Sequence, residues 1–565
     1  MNAKDIREVK YMNKAMPIGV DDFKKVREDY YFVDKTDFIR QLIDTHSAVT
    51  LITRPRRFGK TLTLSMLKYF FSIDRKKESQ GLFSGLSVEK SGTAYMNHLG
   101  AHPVIFISLK NVSGDTWEST VKSLGFALAD LYRSFNYLAQ SADVDDSLKI
   151  YLQKVIYEKA TQEELAVSLL RLTTMLHQHY GKPVILLIDE YDAPIQQAWE
   201  RGFYGECIRF MRQFLGSALK TNASIDFAVL TGVRRIAKES IFSGLNNLDV
   251  CSVMTDQYSD VFGFTADEVS DIASALQCRH MLPEIQAWYD GYRFGKADIY
   301  NPWSVINFFD KQTLADYWVN TSGNAILRQL MKQTDEEQKE ALLALLHGDS
   351  VTAVIREGVI YDDIGENPDA LYTMLLTTGY LTAIHKQNTF GGQLCRLVIP
   401  NREVKDAYRA EVLERMRGRL AASSLLLMME DLVAGHIVPF SKTLERYIAY
   451  LVSSYDAANK ESFYHGFLLE MTALFVPEYI VESNRESGYG RFDIAIFPKD
   501  TSKSGVLMEF KAADSEAQLE DKADEALRQI EEKQYDTEFE KRGISKVWKY
   551  GIAFCGKQVH VKMKI

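Results

Sequence analysis

The chain is 565 residues long, 46% hydrophobic and 25% charged, with a formal net charge of −9. That length asks for about three or four domains and leaves ample apolar material for their cores. The acidic balance excludes a global basic field drawing the chain to nucleic acid or anionic lipid, so a nucleic-acid role needs a local basic groove. The five cysteines are scattered, without C-x-x-C spacing, and read as reduced thiols rather than a disulfide frame or zinc site. The N-terminus opens polar and no apolar run approaches a membrane span, so a soluble cytoplasmic chain without a membrane partner is expected.

Residues 1–260 alternate strand-like and helix-like segments, the pattern of an α/β fold. Apolar runs at 48–53, 104–109, 184–188 and 227–231 read as buried parallel strands, with helical patterns such as 161–176 between them. Residues 261–440 are mainly helical. Over 334–348 the helix grammar is complete: Thr334 caps, Glu337 closes a capping box, and Gly348 follows the last turn. A short helix over 371–378 ends at Gly379, and strand-like runs at 380–385 and 394–399 flank a Gly391-Gly392 turn. Helix followed by hairpin predicts a winged-helix-like module, which either binds DNA or only packs domains together. Residues 441–565 read as α-β-β-β-α-β with a final strand: helix 461–475, strands 479–483, 491–497 and 505–511, helix 515–534, then strands 546–555 and 559–565.

The first strand-like run is followed by Arg54-Pro55-Arg56-Arg57-Phe58-Gly59-Lys60-Thr61 and then by a helix over 62–71. Strand, loop and helix in that order form a phosphate-binding loop. Backbone N–H groups of the loop, those of Arg57, Phe58 and Gly59 among them, meet the phosphates of ATP at the helix N-terminus. Lys60 reaches the β- and γ-phosphates, and the Thr61 hydroxyl ligates Mg2+. The usual pattern starts with Gly six positions before the Lys, and Arg54 stands there instead. The run 184–188 ends in Asp189-Glu190, where Asp189 would hold the metal and Glu190 would polarise the attacking water. The run 227–231 ends in Thr231-Gly232-Val233-Arg234-Arg235. Thr231 is placed to sense the γ-phosphate, and Arg234 or Arg235 to stabilise transition-state charge, in cis or across the contact of a homo-oligomer. Surface arginines paired with neighbouring carboxylates are an equal alternative for each.

These stretches resemble the AAA-ATPase-like family. The matching residues are Pro17-Ile18-Gly19 with Phe23, Tyr31-Phe32-Val33-Asp34-Lys35-Thr36, the loop at 54–61, Leu187-Ile188-Asp189-Glu190-Tyr191-Asp192, Thr231-Gly232, Trp288-Tyr289-Asp290-Gly291-Tyr292-Arg293-Phe294 and Asn301-Pro302-Trp303-Ser304. In that family an arginine at position 54 is a trait, and the resemblance implies ATP binding and hydrolysis. The aromatic cluster at 288–294 with Trp303 reads as packing rather than base stacking.

In the last segment Asp493 lies in one strand-like run, and Glu509 and Lys511 flank Phe510 in the next. Period-two geometry puts Glu509 and Lys511 on one face, where Asp493 of the neighbouring strand can meet them. Two carboxylates converging on one Mg2+, with a cation near the attacking water, are what a metal-dependent nuclease needs. Glu470 interrupts an apolar helical stretch, where an acid is costly unless exposed or paired with a metal. The segment resembles the PD-(D/E)XK nuclease superfamily through Tyr464-His465-Gly466-Phe467, Glu470, Gly490-Arg491-Phe492-Asp493, Met508-Glu509-Phe510-Lys511 and Gln529. The resemblance implies that Asp493 and Glu509 bind the metal, that Lys511 positions water or stabilises charge, and that Glu470 and Gln529 support the site.

The fold expected is therefore α/β: an N-terminal P-loop NTPase parallel sheet (1–260), a helical and winged-helix-like middle (261–440), and a C-terminal restriction-endonuclease-like α/β domain (441–565). The function expected is an ATPase controlling a magnesium-dependent nuclease that acts on nucleic acid, DNA in the first instance, in defence against foreign DNA. The alternative is an ATP-dependent signalling or assembly switch whose last domain binds without cleaving.

Overall fold

The structure is a computed structural model and describes residues 14–235, 248–319, 325–332, 336–356, 358, 367–416, 422–454, 464, 468–469, 471–472, 478–483, 486–487 and 490–565. The fold is mixed α/β, with an N-terminal parallel sheet, a helical middle and a C-terminal sheet domain. The chain divides into two compact units, Met1–Gly323 with Thr352–Val404 and Asn324–Val351 with Lys405–Ile565. Residues beyond 260 share a core with the N-terminal stretch, where Met16 lies among Val269, Ile285, Tyr289, Val305 and Phe308.

In the first unit, β1 (Val49–Thr53), β2 (Val104–Ser108), β3 (Val184–Asp189), β4 (Ile225–Gly232) and β5 (Leu248–Cys251) form one sheet in the order β2-β3-β4-β1-β5. Every neighbouring pair is parallel. β1 and β3 are buried at every position. Parallel strands covered on both faces need apolar side chains consecutively, which is why Val184-Ile185-Leu186-Leu187-Ile188 shows no alternation. Helices Lys60–Phe71, Trp117–Ser134, Ser168–Tyr180 and Tyr204–Leu219 pack around the sheet, and Leu128, Leu172 and Phe214 join the strands in one core.

The helix expected over 161–176 is two helices, Gln162–Leu165 and Ser168–Tyr180. Thr161 and Glu164 form a capping box for the first. The backbone of Val167 leaves the helical region, and the Ala166 carbonyl accepts a hydrogen bond from Ser217 Oγ at 3.0 Å. Further on, β6 (Tyr292–Phe294) and β7 (Ala297–Ile299) make a short hairpin. Strands β8 (Val351–Ile355), β9 (Thr382–Thr389) and β10 (Gly392–Val398) form a sheet in the order β8-β10-β9. The helix ahead of the β9–β10 hairpin starts at Pro368, not 371, because Pro suits the first turn and the Asn367 side chain accepts the Asp369 N–H. It ends at Gly379 with φ 91°. In the second unit, helix Glu336–His347 matches the expected span, while its expected cap Thr334 lies outside the described residues.

The C-terminal sheet contains β11 (Tyr479–Ser483), then, beyond the two-residue strands β12 (Glu486–Ser487) and β13 (Gly490–Arg491), β14 (Ile494–Pro498), β15 (Gly505–Ala512), β16 (Val547–Cys555) and β17 (Gln558–Lys564). Its order is β11-β14-β15-β16-β17, with β15 and β16 parallel and the other neighbours antiparallel. Helix Leu519–Glu532 makes the crossover that a parallel pair requires. It presses on β16 at Gly551, where a Cβ would stand 2.3 Å from Ala523 O. The strand expected at 491–497 is broken. Arg491 pairs with Glu486 in the β12–β13 hairpin, Phe492 and Asp493 leave the ladder, and β14 resumes at Ile494. Of the helix expected over 461–475, Tyr464, Leu468, Leu469, Met471 and Thr472 are described, all helical.

Arg54, the residue in place of a loop glycine, is fully buried. Its Nη1 donates to Thr53 O and Cys251 O, each at 2.9 Å, and its Nη2 to Tyr258 O at 3.2 Å. The guanidinium also lies over the rings of Phe294 and Phe262, at 5.0 and 5.6 Å. A rigid planar fork can satisfy several carbonyls that a point charge cannot, so Arg54 ties the end of β1 to the end of β5. Arg54→Met leaves those buried carbonyls short of donors and is expected to cost about 3 kcal/mol. Urea unfolding checks this; a variant as stable as the parent contradicts it.

Candidate functional site

β4 lies between β1 and β3, so Thr231 stands between the phosphate loop and Asp189. Asp189 collects the strand ends. Its Oδ2 accepts from Thr61 Oγ1 at 2.8 Å and Ser108 Oγ at 3.4 Å, and its Oδ1 accepts from Thr231 Oγ1 at 2.6 Å. Gly59 caps the following helix with φ 83°, a conformation that costs glycine least. The buried Lys60 ammonium donates to Arg54 O at 2.9 Å and Pro55 O at 2.8 Å. Its third N–H has no acceptor among the described residues. Burial lowers the Lys60 pKa, against the pull of Glu190, Asp189 and Asp192. Glu190 sits at φ 50°, and burial raises its pKa, with Lys60 and Lys110 opposing. That combination makes Glu190 a stronger base than an exposed carboxylate.

A hydroxyl in the first turn of the loop helix and a carboxylate at the end of β3 are hard oxygen donors of the kind Mg2+ takes. Thr61 and Asp189 fit it. The spare N–H of Lys60 and the space over Gly59, where a Cβ would meet nothing within 4 Å, fit a phosphate chain.

The second cluster lies on β15 and its neighbours. Glu509 is 2% exposed, and its Oε1 accepts from Gln529 Nε2 and from Lys511 Nζ, the latter at 3.3 Å. Its Oε2 is buried with no hydrogen-bond partner among the described residues. Asp493, released from the ladder by the break before β14, accepts the Phe510 N–H on Oδ2 at 2.7 Å. Burial, with the Asp493 charge adding to it, pushes the Glu509 carboxyl up to about 8. Gln529 is also 3.3 Å from the Tyr535 hydroxyl. A buried carboxylate oxygen without a donor, beside a second carboxylate, fits a divalent cation. Among the described residues no group of three or more His, Cys, Asp or Glu could hold a metal, and Glu470, the expected further ligand, lies outside them.

Residues 17–242 match the family model described as "Predicted AAA-ATPase", and residues 459–564 match that of the PD-(D/E)XK nuclease superfamily. The chain joins a predicted AAA-ATPase domain to a PD-(D/E)XK nuclease-superfamily domain. An Azotobacter chroococcum mcd 1 protein, described as "Uncharacterized protein in vnfD 5'region", is 28% identical over 542 residues, covering 94% of each chain. A solved structure of the Aeropyrum pernix ORC1 protein in complex with DNA aligns at 9% identity over 68% of this chain and 96% of that one. Its TM-score is 0.24, a level at which no likeness of fold follows.

Within the ATPase-like domain the expected site residues have different surroundings. Lys60, Thr61, Asp189, Glu190 and Thr231 come together. Phe58 is buried between Tyr292 and Phe294, with ring centroids at 5.1 and 5.3 Å, so its side chain is committed to packing. Arg57, at φ 68°, lies over the Trp303 ring at 4.4 Å. Arg234 is buried, and its Nη1 contacts Met374 Sδ at 3.3 Å; burial lowers its pKa to about 10. Arg235 is half-buried. Asp192 holds this turn by accepting the N–H groups of Val233 and Arg234. Ser108 escaped the sequence reading, although its place at the end of an apolar run beside the Asp189 run was a usable signal. Of the aromatic residues at 288–294, Tyr292 and Phe294 pack against Phe58 of the loop, and Trp303 lies under Arg57, while Trp288 and Tyr289 pack against Arg402, Phe308 and Tyr317.

The loop has an outer brace. Trp318 Nε1 donates to Arg56 O at 2.9 Å, and the Trp318 N–H donates to the buried Glu403 carboxylate, which also accepts from Ser304 Oγ at 2.6 Å. Burial pushes the Glu403 carboxyl up to about 7, against hydrogen bonds that favour its charged form. With the folded pKa above the usual 4.5, its stabilising effect is complete below about pH 4.5 and is lost as pH rises through about 7. Glu403→Gln removes this dependence. Its stability relative to the parent should improve by up to about 3 kcal/mol from pH 4.5 to pH 8, in denaturant melts. An unchanged difference across that range contradicts the assignment.

Proposed function

We propose that the chain binds and hydrolyses ATP with Mg2+ in its N-terminal domain, and that this cycle controls a magnesium-dependent nuclease acting on DNA in its C-terminal domain. The functional division is residues 1–260 for the ATPase, 261–440 for the connecting helical region and 441–565 for the nuclease. A cytoplasmic protein that defends against foreign DNA is the role this pairing suits best. The observation that carries the reading is the strand-end cluster in which Asp189 accepts from both Thr61 and Thr231, with Lys60 poised beside it.

Thr61 and Asp189 would hold one metal, and Asp493 and Glu509 another. Bound Mg2+ supplies Lewis-acid charge to phosphate oxygens and lowers the pKa of water. Lys60 aligns the phosphates, Glu190 accepts the proton of the attacking water, and Thr231 reports on the terminal phosphate. In the second site Lys511 offers positive charge to the leaving oxygen, and Gln529 orients Glu509.

One observation favours a different output. Lys511 and Gln529 both occupy Glu509 Oε1, an arrangement in which the charges satisfy one another and the domain binds nucleic acid without cutting it. Cleavage assays on single- and double-stranded DNA and on RNA, with Mg2+ or Mn2+ and with ATP or a non-hydrolysable analogue, separate the two. Lys60→Ala should abolish ATP binding and Asp493→Ala should abolish cleavage. Gln529→Ala should slow cleavage by about 10–100-fold. Intact substrates under every condition would reject the nuclease and leave the binding module.

A further inference from the structure

The phosphate loop presents three arginines, and their surroundings differ. Arg54 is spent on backbone carbonyls inside the fold. Arg57 is turned onto Trp303. Arg56 is half-buried, and its guanidinium donates to a neutral acceptor, Gln196 Oε1, at 3.0 Å, and to no carboxylate among the described residues. Gln196 belongs to helix Ala193–Arg201, directly after the Asp189–Asp192 stretch, and its amide is fixed by donating to Glu200 Oε1 at 2.9 Å. The Arg56 carbonyl is fixed from the other side by Trp318 Nε1. Backbone and side chain of Arg56 are therefore both held on the rim of the nucleotide site.

We propose that Arg56 is the arginine that contacts the terminal phosphate of ATP and stabilises the charge developing there during hydrolysis. The inference rests on the ATPase reading of this site. A guanidinium near the Lys60 ammonium is repelled by it, and the Arg56 charge acts on both Lys60 and Arg234. No carboxylate bonds to Arg56 to relieve that repulsion, whereas a polyphosphate entering between Arg56 and Lys60 would. The planar fork suits the purpose, because it can donate two parallel N–H groups to phosphate oxygens. Arg234, the alternative drawn from the sequence, has its side chain buried against Met374, and Asp192 binds its backbone N–H.

In the step itself the water oxygen bonds to the γ-phosphorus while the bond from that phosphorus to the β,γ-bridging oxygen breaks. ADP keeps the electron pair, and the water proton passes to Glu190 and then to solvent. Arg56 donates to the equatorial oxygens of the transferring group, where charge accumulates. Gln196 is a positioning residue that acts through Arg56.

Steady-state ATP hydrolysis and binding of fluorescent ATP and ADP analogues test this on the full chain. Arg56→Ala should keep ADP affinity within about threefold, weaken ATP selectively, and lower kcat by about 10³-fold. Retained ADP binding shows that the variant is folded. Arg56→Lys should recover part of kcat. Gln196→Ala should lower kcat with little change in KM. Arg56→Ala that hydrolyses ATP at the parent rate, while Lys60→Ala is inactive, overturns the role of Arg56 alone. A parent chain that neither binds nor hydrolyses ATP overturns the ATPase reading and this inference together.

Discussion

The Lys60 ammonium is buried at the end of β1, with two backbone carbonyls as its hydrogen-bond acceptors. Taking an ammonium out of water costs several kcal/mol unless opposite charge stands near. Asp189, Glu190 and Asp192 provide that charge from the end of β3 and the turn after it. Each of these carboxylates needs a fixed place of its own. Asp189 is held by hydroxyls from β4 and from the start of the loop helix, and Asp192 by two N–H groups beyond β4. The strand order that inserts β4 between β1 and β3 makes these contacts available.

A loop that must hold a cation with its own carbonyls cannot be loose, and its stiffness comes from outside the sheet. Arg54 binds carbonyls at the end of β5 and beyond, Phe58 is locked among aromatic rings, and Trp318 takes the Arg56 carbonyl. Gly379 lies so close to Pro55 that a Cβ would stand 3.0 Å from the ring. The segments 288–319 and 379 thus serve the phosphate loop despite their distance in sequence. The C-terminal domain meets a related problem with a carboxylate. Burial disfavours the charge on Glu509, Lys511 opposes that shift, and Oε2 keeps no hydrogen-bond partner among the described residues.

Much of this was legible in the sequence because it is local. Unbroken apolar runs of five or six residues announced four of the five parallel strands, and the acids at 189 and 190 announced the strand end beside which Thr61, Thr231 and Lys60 gather. The Gly379 stop, the hairpin over Gly391-Gly392 and the Asp493, Glu509 and Lys511 cluster were readable from spacing. What stayed hidden depends on long-range partners. Nothing near Arg54 says that its acceptors are the carbonyls of Cys251 and Tyr258. Nothing near Arg56 names Gln196, and Glu403 gives no sign that it holds Trp318. The break at Phe492-Asp493 was hidden for the same reason. It is set by the β12–β13 hairpin, whose register the strand pattern of 491–497 does not encode.

A crystal structure with Mg2+ and a non-hydrolysable ATP analogue tests the central claim most directly. The Lys60 ammonium should leave Arg54 O and Pro55 O for the phosphate oxygens, and the metal should sit on Thr61 Oγ1 near Asp189. An analogue bound elsewhere, with Lys60 still on the two carbonyls, would contradict the role assigned to this loop.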